Sequence, residues 1–404
     1  MKSKDSSNDN SDSTTSTSTS KTKAVTSSQI VTAESVQAED VPTIPLGSLQ
    51  TVSELLPEVS VYSVASEDSV MLPVPLVAQL PEDQRSLGER IKIWWEGIRP
   101  AYLPLSLLPV ILGSVVAWTQ SISLKSLGGH FHLFRFVITL VAVLLLQVGA
   151  HLVNDYYDYL RGIDTGNALG PGGLIQQGLV KPVRVLSLGL SALGSGALLG
   201  IFVAISGGWL LFVFGLFGLF AAYFYSGPAR GLSSLALGEL VSFCIFGPLL
   251  TLGGYMVQTG HLDRLVFIFG ISLGLLATAF IHLNNMRDAE SDAQARKHTL
   301  ATLLGLRMGR ALYLLLVLGA YVPITALALP PHAPHLLLLV LWTLPGLVIA
   351  VTGALRAYSP KSLHAAMRQT LRLEIFFTLL LIVALVVTAV VPILPHIPAF
   401  HLPF

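Results

Sequence analysis

The chain is poor in charge and nearly free of cysteine. Only 12% of its 404 residues are charged, about half the usual share in soluble proteins, while 52% are hydrophobic. A soluble protein needs charged side chains to cover its surface, so this composition excludes an ordinary soluble enzyme. The single cysteine, Cys244, excludes an intrachain disulfide. The net charge of +1, without a basic stripe, excludes nucleic acid as a partner.

The few carboxylates are unevenly distributed along the chain. Residues 1–99 hold 14 of the 23, which leaves nine for the other 305 residues. The first thirty residues contain ten Ser and six Thr, so we expect residues 1–84 to form a disordered tail and linker. Residues 85–99 (RSLGERIKIWWEGIR) combine basic side chains with two tryptophans, which favours a short amphipathic helix at the lipid headgroups. Residues 100–404 are the predicted transmembrane domain.

Nine apolar segments in this domain are long enough to cross a bilayer. They lie near residues 101–119, 134–154, 184–206, 208–225, 235–258, 265–286, 309–329, 335–355 and 373–394. With the N-terminus in the cytoplasm, 17 Lys and Arg residues of residues 85–404 fall on the cytoplasmic side and three on the other. The sequence therefore predicts an all-α, multi-pass protein of the cell membrane whose C-terminus lies on the opposite side.

Six of the nine carboxylates in this domain lie in two short windows. We name residues Asn154–Asp164 the first acidic window and Asn284–Asp292 the second. Both follow the C-terminal ends of predicted spans, the second and the sixth, and both ends are predicted to be cytoplasmic. Asp155 and Asp158 are three residues apart and share a helical face, while Asn284, Asp288 and Asp292 follow one another in steps of four. Acids are costly near lipid unless they are paired or bound to metal, so this clustering indicates function.

The residue types in the two windows favour one kind of chemistry. Carboxylate and amide oxygens, without Cys or a pair of His, select hard cations and above all Mg²⁺. Two acidic faces opposed across a cavity can hold a diphosphate through Mg²⁺, which makes diphosphate a good leaving group. The apolar spans provide a chamber suited to a long hydrocarbon. Glu239 has two interpretations, because it can pair with Arg230 at the interface or face the cavity.

These motifs resemble the UbiA superfamily of intramembrane prenyltransferases, and within it the 1,4-dihydroxy-2-naphthoate polyprenyltransferases of menaquinone or phylloquinone synthesis. The resemblance covers residues 97–395. Its most specific elements are NDYYDYLRGID in the first window and NNMRDAESD in the second. Supporting elements are RPAYLPLSLLPVILG at Arg99–Gly113, YSGP at Tyr225–Pro228 and the segment Leu237–Gly260.

The resemblance implies a ring of nine transmembrane helices around a central cavity, with the two windows facing each other. It implies that a polyprenyl group passes from its diphosphate to dihydroxynaphthoate, with Mg²⁺ as cofactor and loss of CO₂. The implied metal ligands are Asp155, Asp158, Asp288 and Asp292. Asp164 is implied as a further ligand or a base near the acceptor. The implied substrate-binding residues are Asn154, Asn285, Arg287, Lys181 and Tyr225.

Two alternatives stay open at this point. One keeps the reaction and changes the acceptor to 4-hydroxybenzoate, homogentisate or a lipid head group. The other is a cation-coupled transporter, because acids inside a membrane also mark ion pathways. Transporters tend to place such residues near the middle of the bilayer on broken helices, whereas both windows lie at the ends of their spans.

Overall fold

The computed structural model describes residues 85–124, 131–162, 173–227, 231–329 and 334–391. Within them the fold is helical, and the single β-type contact is an isolated bridge between Leu235 and His298. The α-helices are α1 (Leu87–Ile98), α2 (Pro104–Leu124), α3 (Leu133–Leu160), α4 (Pro182–Gly207), α5 (Trp209–Phe224), α6 (Gly238–Cys244), α7 (Leu250–Thr259), α8 (Arg264–Arg287), α9 (Ala289–Gln294), α10 (Leu300–Gly319), α11 (Tyr321–Leu327), α12 (Leu344–Leu355) and α13 (Pro360–Val390). The expectations for the tail, residues 1–84, and for Asp164 concern residues outside these ranges.

Eight helical stretches of the described residues are long and apolar enough to cross a membrane. A further apolar helix, α5, is shorter at 16 residues. Together they coincide with the nine segments that the sequence predicts, so the all-α, multi-pass membrane fold is confirmed. Large apolar side chains such as Leu198, Ile205 and Phe212 are exposed on the outside of the bundle, as expected for a surface solvated by lipid. The orientation across the membrane stays a prediction.

One of these spans is broken in the middle. Helices α6 and α7 are joined by a π-helical turn at Ile245–Leu249, in which Gly247 has non-helical backbone angles and is followed by Pro248. A proline inside a helix removes a hydrogen bond and bends the chain. A Cβ atom at Gly247 would collide with the backbone of Gly270 and Gly274 in α8. The break therefore lets this span approach α8 closely.

Helix α8, at whose C-terminal end the second window begins, lies in the interior of the bundle. Of the 24 residues of α8, 17 are buried, and the helix packs against α6, α10 and α13. The helix that carries the first window, α3, packs mainly along α4 and also touches α2 and α5. The two windows thus lie at the ends of an enclosed helix and of a more peripheral one.

Helix α1 lies where the sequence predicts a short amphipathic helix. Ser86 and Glu89 close its N-terminus with a capping box, in which each side chain binds the other residue's backbone N–H. Leu174 packs against Gly97, and the guanidinium of Arg85 donates to the carbonyl of Leu179. Its location at the lipid headgroups stays a prediction.

Candidate active site

A cavity of about 220 Å³ opens between the ends of α3 and α8 and the broken span α6–α7. One part of its wall is polar and includes both windows. The polar residues that line it include Asn154, Asp158, Asn284, Asn285, Asp288, Asp292, Tyr225 and Lys297. The rest of the wall is apolar, with Leu146, Phe246 and Phe280 among its members. The structure thus brings the two windows, which are more than a hundred residues apart in sequence, to one cavity.

In the first window an amide and a carboxylate are linked along the helix. The amide of Asn154 donates to Oδ2 of Asp158 over 2.7 Å, and the hydroxyl of Ser226 donates to Oδ1 of Asn154. The other oxygen of Asp158, Oδ1, lies 3.6 Å from Nη1 of Arg161. Arg161 also donates to the carbonyls of Ser226 and Gly227, which fastens the end of α3 to the segment after α5.

Asp155 shares the helical face of Asp158 but has a different partner. Its Oδ1 forms an ion pair with Nη2 of Arg99, the residue that ends α1 in a left-handed conformation with φ of 57°. Asp155 is buried and is not among the residues that line the cavity, whereas Arg99 is. His151 supports the same junction, because its Nδ1–H donates to the carbonyl of Ile98 over 3.1 Å. Asp155 therefore positions Arg99 at the cavity wall.

In the second window Asp288 is oriented from its own helix. Arg287 donates from Nε to Oδ1 of Asp288 over 2.7 Å and from Nη2 to Oδ2 over 2.6 Å, which is the two-bond geometry that arginine and carboxylate prefer. The amide of Asn284 also reaches Asp288, at 3.4 Å. The guanidinium of Arg287 lies 3.1 Å from Nδ1 of His364 on α13. Arg287 is buried behind Asp288, outside the set of residues that line the cavity.

Behind the second window, Glu239 forms a buried network with two residues of α8. Oε1 of Glu239 accepts from the amide of Asn285 over 3.0 Å and from Nδ1–H of His282 over 3.1 Å. The other ring nitrogen of His282 lies 3.0 Å from the carbonyl of Gly309, so both nitrogens face acceptors. Glu239 is not among the residues that line the cavity, so it does not face the cavity directly but supports Asn285, which does. Arg230, its other candidate partner, lies outside the described residues.

Lys297 lies on the cavity wall beside the second window. Its Nζ lies 3.2 Å from Oδ1 of Asp292. Burial lowers the pKa of Lys297, but the carboxylates of Asp158 and Asp292 outweigh that effect and keep the ammonium charged. Burial raises the pKa of Asp292 to about 6, against the opposing effect of Lys297.

The predicted site residues thus fall into three groups. Asn154, Asp158, Tyr225, Asn285, Asp288 and Asp292 line the cavity. Asp155 and Arg287 stand behind lining residues, and Lys181 is an exposed residue at the N-terminus of α4, away from the cavity wall. Asp164 lies outside the described residues. Sequence reasoning missed Arg99 and Lys297, and it gave Glu239 a place at the cavity only as one of two interpretations. The spacing of five residues between Asp292 and Lys297 was the one local signal that could have found the lysine.

The oxygen atoms of the cavity suit a hard cation that a substrate helps to hold. Among the described residues, no three His, Cys, Asp or Glu side chains lie together in a group that could hold a metal ion alone. Oδ1 of Asp158 and Oδ2 of Asp292, however, are buried without a hydrogen-bond partner in the described part of the chain. Mg²⁺ is commonly bound by one or two carboxylates together with water and substrate phosphate. Asp158 and Asp292 therefore fit such an ion.

Known proteins show the same architecture. Residues 106–382 match the UbiA prenyltransferase family. A 1,4-dihydroxy-2-naphthoate octaprenyltransferase of Bacillus subtilis is 30% identical over 310 residues, which is 77% of this chain and 96% of the relative. A UbiA prenyltransferase domain-containing protein 1 homolog of Drosophila melanogaster is 33% identical over 300 residues, or 73% of this chain and 79% of that protein.

The fold of a solved UbiA homolog from Aeropyrum pernix is similar, with a TM-score of 0.53 and 15% identity over 70% of this chain and 98% of that one. A UbiA homolog from Archaeoglobus fulgidus, solved with DMAPP and Mg²⁺, gives a TM-score of 0.50 and 15% identity over 71% and 98% of the two chains. With the family match over most of its membrane domain, this chain belongs to the UbiA prenyltransferase family and is a membrane-embedded prenyltransferase.

Proposed function

We propose that this enzyme transfers a polyprenyl group from polyprenyl diphosphate to 1,4-dihydroxy-2-naphthoate, with Mg²⁺ as cofactor and with loss of the acceptor's carboxylate as CO₂. The observation that carries the proposal is the convergence of Asp158 and Asp292 on one cavity whose remaining wall is apolar. Several relatives of about 30% identity bear the name of this activity, among them the Bacillus subtilis protein and one from Haemophilus influenzae that is 32% identical over 240 residues.

The polar part of the cavity binds the diphosphate in this proposal. Mg²⁺, when bound, supplies positive charge to the leaving diphosphate. Asp158 and Asp292 hold the ion, and Asn154 and Asn284 orient carboxylates from one helical turn away. The relative from Archaeoglobus fulgidus that was solved with DMAPP and Mg²⁺ supports this pairing of ligand and ion within the family. Tyr225 lines the same wall and can donate its hydroxyl hydrogen to a phosphate oxygen.

The hydrocarbon tail occupies the apolar part and continues beyond it. A second cavity of about 100 Å³ shares Leu146, Gly218 and Leu249 with the first, so the two cavities are adjacent. At Gly253, which lines this second cavity, an added Cβ would meet no atom within 4 Å. Gly253→Leu should therefore fill space in the second cavity that a long prenyl tail needs. A geranyl group is shorter, so the same substitution should affect its binding less.

We expect Gly253→Leu to lower the preference for a long prenyl diphosphate over geranyl diphosphate by about tenfold. The matched control is Gly194→Leu, because Gly194 is an exposed glycine of α4 with equally open surroundings but no place on either cavity wall. Competition between the two donors in one reaction measures the ratio. An unchanged ratio of long-chain to geranyl transfer would show that the prenyl tail does not occupy the second cavity.

An acceptor panel tests the main proposal. Membranes that contain the enzyme should consume a polyprenyl diphosphate only when Mg²⁺ and dihydroxynaphthoate are both present, and should release one CO₂ for each prenyl group transferred. Turnover with 4-hydroxybenzoate, homogentisate or a lipid head group instead would keep the reaction and correct the acceptor. Ion-driven uptake into vesicles without loss of diphosphate would favour the transporter hypothesis.

A further inference from the structure

A lysine ammonium lies among the acids of the cavity, where the proposed function places a metal ion. Lys297 pairs with Asp292 of the second window, and Asp158 of the first window lines the same cavity. The side chain of Lys297 is only 14% exposed. Oδ2 of Asp292 has no hydrogen-bond partner in the described part of the chain, as noted above. The ammonium therefore neutralises an acid that a cation from solution would need.

Hydrogen bonds hold the backbone around Lys297 in place, so a change of partner would involve only the side chain. Arg296 has a left-handed backbone with φ of 55°, which turns the chain after α9. The N–H of Lys297 donates to the carbonyl of Asp292 over 2.8 Å, and the carbonyl of His298 accepts from Ala236 over 2.8 Å. A lysine carries a compact charge on a flexible four-carbon stem, so the ammonium can change partners while the loop stays in place.

The other cations near the windows are already committed to a carboxylate or to backbone. Arg99 is engaged by Asp155, and Arg287 holds Asp288 with two hydrogen bonds. Arg161 donates to two backbone carbonyls, and its Nη1 lies 3.6 Å from Oδ1 of Asp158. Lys297 lines the cavity and is held at 3.2 Å, longer than the 2.7–2.9 Å typical of a strong charge-assisted hydrogen bond. Of these four cations, it is the one best placed to be redirected.

We propose that Lys297 is the resident counter-ion of Asp292 in the substrate-free enzyme, and that it gives up this place to Mg²⁺ and then binds the diphosphate. This inference rests on the proposed use of a metal and a diphosphate in this cavity, and not on the identity of the acceptor. Lysine and metal compete for the same carboxylate, so the ammonium should weaken the binding of metal alone. Once the metal and the diphosphate are both bound, the same ammonium faces added negative charge and should strengthen binding of the diphosphate.

The two roles predict opposite effects of one substitution. In the purified full-length protein in lipid nanodiscs, Lys297→Gln should bind Mn²⁺ alone about tenfold more tightly than the unmodified protein, because a like charge is removed. At saturating Mn²⁺, the same variant should bind geranyl S-thiolodiphosphate, which resists cleavage, about tenfold more weakly. Electron paramagnetic resonance of free Mn²⁺ gives the first affinity, and equilibrium dialysis of the analogue gives the second.

Two further variants separate charge from structure. Lys297→Arg keeps the charge and should leave the affinity for Mn²⁺ alone within about threefold of the unmodified protein. Lys361→Gln removes an exposed lysine at the start of α13 and should change neither affinity. If Lys297→Gln weakens both ligands, or leaves Mn²⁺ binding unchanged, the inference is overturned. If the opposite changes appear but dihydroxynaphthoate is not prenylated, the inference stands and the proposed acceptor is wrong.

Discussion

In the first acidic window Asn154 donates to Asp158, and in the second Asn284 donates to Asp288, so each window contains an amide and a carboxylate one helical turn apart. The windows differ in what holds these groups. Asp288 accepts hydrogen bonds from Arg287, its neighbour in the chain. Arg287 is the last residue of α8, a helix with 17 of 24 residues buried. In the first window, Arg161 at the end of α3 lies 3.6 Å from Asp158, but the other carboxylate, Asp155, is bound from outside α3 by Arg99 at the end of α1.

The histidines that precede the windows show the same contrast. His282 is fully buried and connects α8 to Glu239 of α6 and to Gly309 of α10. His151 is half-buried and connects α3 to the single carbonyl of Ile98. The second window is therefore supported by the packed core around α8. The first window is supported in part by the packing of α1 against α3. Similar motifs in sequence do not imply similar mechanical support.

The largest expected effect tests what the windows share. Asp158→Asn and Asp292→Asn should each lower prenyl transfer by at least about 10³-fold, because each removes a carboxylate that holds the ion and about 4 kcal/mol of stabilisation of the transition state. Initial rates with a polyprenyl diphosphate, Mg²⁺ and the acceptor measure the loss.

The control for these variants is Asp263→Asn. Asp263 is also buried, but it caps the N-terminus of α8 at the opposite end from the second window, a task that asparagine can perform. This variant should retain its activity. If one window tolerates loss of its carboxylate and the other does not, the metal belongs to one wall alone.

The next effect tests the rigidity of the second window. Glu239→Leu removes the oxygen that accepts from His282 and Asn285, which leaves two buried donors unpaired, and should lower the free energy of unfolding by about 3 kcal/mol. Unfolding of the protein in detergent by heat or denaturant measures the change. Glu374→Leu is the matched control, because Glu374 is equally buried within a span and its carboxyl oxygens have no hydrogen-bond partner in the described part of the chain. A loss of less than about 1 kcal/mol is expected there. Equal losses in both variants would show that the His282 contact contributes nothing specific.

A smaller effect tests the docking of α1. Asp155→Asn should lower prenyl transfer by about 10- to 100-fold, the range seen when a residue that orients a site residue is lost. The physical reason is that Arg99 loses its ion pair and its place on the cavity wall. The rate should therefore fall less than in Asp158→Asn. If Asp155→Asn and Asp158→Asn are equally impaired, Asp155 binds the metal directly, as the resemblance to the family implies.

The sequence predicts the spans and the windows because both are local patterns. Hydrophobic length identifies the nine apolar segments, and the four-residue steps of Asn284, Asp288 and Asp292 place them along one side of the chain. The supporting residues are not local. Arg99 is 56 residues from Asp155, and Glu239 is 43 residues from His282, so only the packing of helices brings them together.

The same reason explains why the sequence does not report which basic residues line the cavity. Arg287 is adjacent to Asp288 in sequence, and the side chain turns behind the carboxylate instead of lining the cavity. Lys297 reaches the cavity because a left-handed turn at Arg296 follows α9. A side chain's direction after a turn depends on backbone angles that residue spacing does not report.

The smallest expected effect returns to the two histidines. His151→Gln should lower the free energy of unfolding by about 1 kcal/mol, the usual contribution of one neutral hydrogen bond, because it loses only the contact to Ile98. His282→Gln, measured under the same conditions, should lose about 3 kcal/mol together with its carboxylate partner. Hydrogen exchange adds a spatial test, since the loss in His151→Gln should be confined to α1 and its junction with α3. Equal losses, or exchange that spreads into α8 in both variants, would mean that the two windows are supported alike and that the contrast drawn from their contacts is wrong.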